Sequence, residues 1–106
     1  MAVVAVRGTC PVEIWLSGLA AQPMRRMLAA IVRLGGGVPE PPTPKWFRWL
    51  RPRDGCFELR VGRCRALGWV HASGQVVLYS GFLKSSAAQL VRETTRMRAY
   101  RADMGL

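Results

Sequence analysis

The sequence predicts a small α+β domain, a mostly antiparallel sheet with helices packed against it. Three observations lead there. Residues 55–84 read as three short strands joined by tight turns, two segments of helical spacing precede them, and a third follows. The chain has 106 residues, so one domain spanning 1–106 is expected. Half of the residues are hydrophobic, which is a globular composition with enough apolar material for a core.

Each element follows from its own pattern. Ala2 to Val6 is a short β-branched strand, at an edge or in the middle of the sheet, and Arg7-Gly8-Thr9 turns out of it. Pro11 suits the first turn of a helix, and Val12, Trp15, Leu16 and Leu19 continue with helical spacing. Pro23 starts a second helix with Met24, Met27, Leu28, Ile31 and Leu34 on one face, and Arg25, Arg26 and Arg33 largely elsewhere. Gly35-Gly36-Gly37 stops it. These two helices read as an antiparallel hairpin or one broken helix. The proline-rich stretch from Val38 to Pro44 is an extended connector.

Phe57, Leu59 and Val61 alternate with Glu58 and Arg60, the period-two pattern of a half-buried strand. Gly62-Arg63 fits a two-residue hairpin turn with glycine first. That register sets Arg60 opposite Arg65, a like-charge pair that an anion or solvent must offset. Ala72-Ser73-Gly74 turns the chain again, and Gln75 to Phe82, the most apolar strand, is expected to be central. Ser86-Ala87-Ala88-Gln89 fits a capping box. It opens a last helix with Leu90, Val91, Thr94 and Met97 inward and Arg92, Glu93, Arg96 and Arg98 mostly outward. The expected order is β-α-α-β-β-β-α.

Charge narrows the class of partner. Sixteen basic and 6 acidic residues give a formal net charge of +10. Such a surplus calls for an anionic partner: nucleic acid, ribosome, acidic protein or anionic membrane surface. Only Lys45 and Lys84 among the cations are lysine. Arginine is the better phosphate fork, but a GC-rich genome also favours its codons, so the preference decides nothing. Cys10, Cys56 and Cys64 show no metal-binding spacing and read as reduced thiols of a cytoplasmic protein. No apolar run approaches the ~20 residues of a membrane span.

Several stretches taken together resemble a known family. They are Asp54-Gly55-Cys56-Phe57-Glu58-Leu59-Arg60, then Arg65 with its apolar followers, then Leu78-Tyr79-Ser80-Gly81-Phe82-Leu83-Lys84, and a final helix that carries Arg96, Arg98 and Tyr100. In order and spacing they resemble the phage-derived, HigB-like branch of the RelE/ParE toxin superfamily, over about residues 12 to 100. The resemblance implies a RelE-like domain: an N-terminal helical hairpin on a mostly antiparallel sheet, plus a C-terminal helix. It implies a toxin of a type II toxin–antitoxin pair, partnered by a helix-turn-helix antitoxin. It further implies cleavage of mRNA on the translating ribosome, with no metal or other cofactor. Arg60 and Arg65 are then similar to the family's sheet arginines, Lys84 to the first of its paired lysines, and Tyr100 to its C-terminal aromatic. The second lysine is Ser85 here, and the acidic residue often preceding the tyrosine is Ala99.

Metal-free RNA cleavage uses the 2′-OH as nucleophile. It needs a proton acceptor, cations against the charge that builds on phosphorus, and a donor for the leaving 5′ oxygen. Arg60 and Arg65 suit the second role; Lys84 is a cation, or a base if those arginines depress its pKa; Tyr100 can relay a proton or stack on a base. The plainer alternatives are solvated strand cations, one tied to Glu58, a surface lysine and a packing tyrosine. His71, the only histidine, reads as a turn residue. The basic and aromatic run Lys45, Trp46, Phe47, Arg48, Trp49, Leu50, Arg51, Pro52 and Arg53 admits three readings. It stacks on RNA, or forms a partner patch, or is a short helix packing Trp46 and Leu50 onto the core. Arg63 joins these as a binding candidate. The runner-up function is a toxin-fold protein without nuclease activity. It would inhibit gyrase or another host target, or serve a phage as an inactive partner-binding protein, and Ser85 and Ala99 favour it.

Overall fold

A computed structural model describes residues 3–5, 18–51 and 54–104. Five strands and two helices are built from them: β1 (Val3–Ala5), α1 (Ala21–Gly35), β2 (Phe47–Arg51), β3 (Cys56–Val61), β4 (Cys64–Val70), β5 (Val76–Leu83) and α2 (Ala87–Met104). The helix expected at Pro11 to Leu19 lies almost wholly outside the described residues. One sheet runs in the order β1-β5-β4-β3-β2. β2 to β5 form a consecutive antiparallel meander, and β1 joins β5 in parallel as an edge. β5 is therefore interior, but the middle place belongs to β4.

Two apolar clusters separate the layers. The first holds Met27, Ala30 and Leu34 of α1 against Phe47, Phe57, Leu59, Val61, Cys64, Ala66, Val76 and Leu78. The second, on the α2 side, holds Cys56, Leu67, Trp69, Val77, Phe82 and Met97. Cys56 and Cys64 thus point into opposite faces of the sheet, and both are free thiols. The buried stripe of α1 is Met27, Ala30 and Leu34. Leu28, expected inward, is 41% exposed. α1 ends where Gly36 and Gly37 donate to the carbonyls of Arg33 and Leu34, and Gly37 takes φ +130°.

The segment after the prolines is a strand, not the short helix weighed above. Phe47 pairs with Leu59 and Trp49 with Phe57, so aromatic side chains meet across the two strands. Phe47 and Phe57 stack with centroids 5.4 Å apart. Aromatic residues favour such a half-buried pleated surface. A bulge between Trp49 and Arg51 breaks the alternation, and Leu50 joins the second cluster while Trp46 packs on the first. The two residues expected to share one contact face therefore serve opposite faces.

The hairpin matches its expectation. Val61 pairs with Cys64, Gly62 takes φ +57°, and Arg60 faces Arg65. A second bulge leaves Tyr79 without a partner, because Leu67 pairs with Ser80 and Gly68 with Leu78. Gly68 is needed there: a Cβ would lie 2.2 Å from the Val77 carbonyl oxygen and 2.8 Å from the Phe57 ring. At the start of α2, Ser86 Oγ accepts from the Gln89 amide at 3.1 Å. Gln89 Oε1 reaches one residue further back than a capping box requires and accepts from the Ser85 amide at 2.7 Å. Met97 is the buried anchor of α2, while Val91, expected inward, is 64% exposed. The C-terminal end of α2 is tied to the sheet by arginines. Arg98 meets Asp54 at 3.3 Å, and Arg101 donates to the Asp54 carbonyl and lies 5.6 Å over the Trp69 ring.

Candidate functional site

An open groove of about 640 Å³ lies where the β3–β4 hairpin meets α1. Arg60, Val61, Gly62 and Arg65 come from the hairpin, Lys45 and Trp46 from the approach to β2, and Arg26, Ala29, Ala30 and Arg33 from α1. Five cations therefore share one concavity. Two of them, Arg26 and Arg33, were not legible as site residues, since the sequence placed the α1 arginines merely off the apolar face. Their spacing of seven, flanking the stripe of Met27, Ala30 and Leu34, was the available signal.

The hairpin positions the inner pair. The Arg60 amide donates outward to the Trp46 carbonyl at 2.8 Å. Arg60 and Arg65 thus occupy a non-hydrogen-bonded pair of β3 and β4, the closer of the two antiparallel spacings. Glu58 sits on the same face two residues before Arg60 and is only 1% exposed. Its carboxylate reaches both arginines, at 3.9 Å to Arg60 Nε and 3.7 Å to Arg65 Nε. Neither contact is short enough to be a hydrogen bond, and Glu58 Oε2 and both Nε atoms are buried without a hydrogen-bond partner. The sequence reading tied one arginine to Glu58; the structure ties both. Arg65 is held further by its own turn, its guanidinium donating to the carbonyls of Gly62 at 2.7 Å and Cys64 at 2.9 Å. One negative charge beneath two positive ones leaves a local surplus that faces outward.

The other expected site residues line the groove only in part. Lys84 lies beside the hairpin tip, its amide donating to the Arg63 carbonyl at 2.9 Å, and its side chain does not line the groove. Arg63 is exposed at that tip and donates to the Lys84 carbonyl at 3.4 Å. Tyr100 does not line the groove. It packs on Tyr79, ring centroids 5.2 Å apart, within the second cluster. Lys45 and Trp46 are in the groove, whereas Trp49 packs on the first cluster and Arg48 is exposed across from Glu58. Arg51 belongs to β2 by its backbone, and Arg53 lies outside the described residues. His71 is a turn residue whose Nδ1 accepts from the Ser73 amide at 3.1 Å. Among the described residues no three histidine, cysteine or acidic side chains gather as a metal site, and no helix is long and apolar enough to cross a membrane.

Chemically, the groove can grip an extended anion. Arginines offer forked donors for phosphate oxygens, and a half-buried tryptophan offers a face on which a base can stack. One thiol lies apart from this. Burial pushes Cys56 above the ordinary thiol range, with nearby Arg101 opposing the shift, so it is a packing group and not a nucleophile.

Comparison with solved structures finds similarities of chain path, among them the following. A chain from the crystal structure of the toxin–antitoxin complex RelBE2 of Mycobacterium tuberculosis is 22% identical, matches 80% of this chain and 92% of that one, and superposes with a TM-score of 0.46. No protein-family model matches the chain, and no curated protein matches it.

Proposed function

We propose that this protein is a RelE/HigB-like toxin that cleaves mRNA on the translating ribosome without a metal, and that a cognate helix-turn-helix antitoxin neutralises it. The observation that carries this reading is the convergence of Arg60, Arg65, Lys45, Arg26 and Arg33 on one open groove. Arg60 and Arg65 would stabilise the charge that develops on the phosphorus oxygens as the 2′-OH attacks. The buried Glu58 orients both guanidiniums while leaving positive charge to spare. An antitoxin segment rich in acidic residues would find the same five cations. The residue pattern from Asp54 to Tyr100 supports the assignment.

A second reading has its own observation. Tyr100 packs on Tyr79, and neither Tyr100 nor Lys84 lines the groove, although both were expected to move protons. That arrangement favours a toxin-fold protein that binds and inhibits a host target instead of cutting RNA. Mapping of new RNA 5′ ends after induced expression separates the two. New ends inside reading frames at a fixed codon phase, absent with Arg65→Ala, are expected for the nuclease. Growth arrest with an unchanged 5′-end pattern would sink that reading and favour the inhibitor.

A further inference from the structure

The two α1 arginines are unused by the chemistry just described, yet they form one wall of the groove. Arg26 and Arg33 are seven residues apart, two helical turns or roughly 10 Å along the axis. That distance is too long for one phosphate to touch both. Ala29 and Ala30 lie between them and keep the wall low. The same groove is lined by Arg60 and Arg65 of the hairpin and by Lys45 and Trp46. Among the described residues no carboxylate pairs with Arg26, Arg33 or Lys45; the ion pairs there join Glu58 to Arg60 and Arg65, Glu93 to Arg96, and Asp54 to Arg98.

From this placement we infer that Arg26 and Arg33 form a phosphate track for single-stranded RNA. They hold two backbone phosphates adjacent to the one gripped by Arg60 and Arg65, while Trp46 receives a stacked base. The inference rests on the RNA reading above and extends it from the reacting phosphate to its neighbours. A folded acidic protein surface presents separate carboxylates, whereas the groove gathers cations, two of them spaced along one helix, beside a half-buried tryptophan, a combination that suits a single strand. The track acts on binding and register, not on the bond-breaking step.

The test uses the whole protein and an RNA octamer of mixed sequence whose riboses are 2′-O-methylated, so that binding is read without cleavage. Fluorescence anisotropy is followed from low to moderate salt for wild type, Arg26→Ala with Arg33→Ala, and Arg25→Ala with Arg92→Ala. The last pair removes the same charge from exposed positions outside the groove. The track variant is expected to bind about tenfold more weakly per arginine. Its slope of log affinity against log salt is expected to fall by about 1.4, the value for two single-strand phosphate contacts. Arg26→Lys with Arg33→Lys should keep most of the slope. Equal behaviour of the track and control pairs overturns the inference, as does equal loss in the lysine variant, which would mark a structural defect. Wild type that binds a polyglutamate peptide but not the octamer overturns it in favour of a protein partner. A wild type that binds the octamer as predicted but leaves mRNA on ribosomes intact removes the nuclease reading and leaves the track standing.

Discussion

Replacing Glu58 with glutamine tests how the inner pair is held. The change keeps size and shape but removes the charge beneath Arg60 and Arg65. At 3.7 and 3.9 Å, with an effective dielectric of about 20, each attraction is roughly 4 kcal/mol before desolvation of the carboxylate is set against it. Breaking a buried pair costs about 3–5 kcal/mol. Arg60 is 36% exposed and Arg65 13%, so water replaces part of the lost interaction. A net loss of about 2–3 kcal/mol is expected, which lowers the melting temperature by about 10–15 °C for a domain of this size. The two freed arginines should then take an oxyanion more tightly. Sulfate titration should narrow the gap between variant and wild type, while chloride at equal ionic strength leaves it. Sulfate stabilises folded proteins in general, so the difference between the two proteins is what is read. An unchanged melting temperature, or a gap indifferent to sulfate, would refute the idea that Glu58 neutralises this pair.

Three further outcomes follow from packing. Gly68→Ala drives a methyl group into the Val77 carbonyl and the Phe57 ring, and should cost about 3 kcal/mol or more by chemical denaturation. Arg101→Ala removes the contact to Asp54 and the cation over Trp69, and should cost about 1–2 kcal/mol, with faster amide exchange confined to the last turns of α2. Cys56 should resist alkylation in the folded protein. Because its pKa is raised by folding, the unfolded thiol ionises first, so stability is full below the unfolded pKa and falls as pH climbs toward the folded one. Cys56→Ala should flatten that alkaline decline.

The parts of the molecule that could be read from sequence are those set by local rules. The period-two run at Phe57 to Val61 and the glycine at position 62 fixed a strand, a turn and the Arg60–Arg65 register together. β2 escaped because its bulge sends Leu50 to the opposite face from Trp46, which destroys the alternation that marks a strand. Arg26 and Arg33 escaped for another reason. Which flank of α1 borders the hairpin depends on how the helix docks, and no local pattern encodes that. Tyr100 was placed correctly along the helix, but the bulge at Tyr79 supplies it with a ring partner that sequence spacing does not show.

The meander has a consequence for the order in which the groove comes into being. Its inner pair closes over a two-residue turn, so Arg60 and Arg65 can meet as soon as the hairpin leaves the ribosome. The outer wall cannot, since α1 is made first and its apolar stripe has only β3 and its neighbours to pack against. β1 waits longer still, because Val3 pairs with Val76. Distant pairings of this kind form late in folding. A nascent chain therefore carries Arg26 and Arg33 without the concavity until the hairpin has been made and α1 has packed on it. Chains stalled before β3 should show no preferential affinity for the methylated octamer, and completed chains should show it.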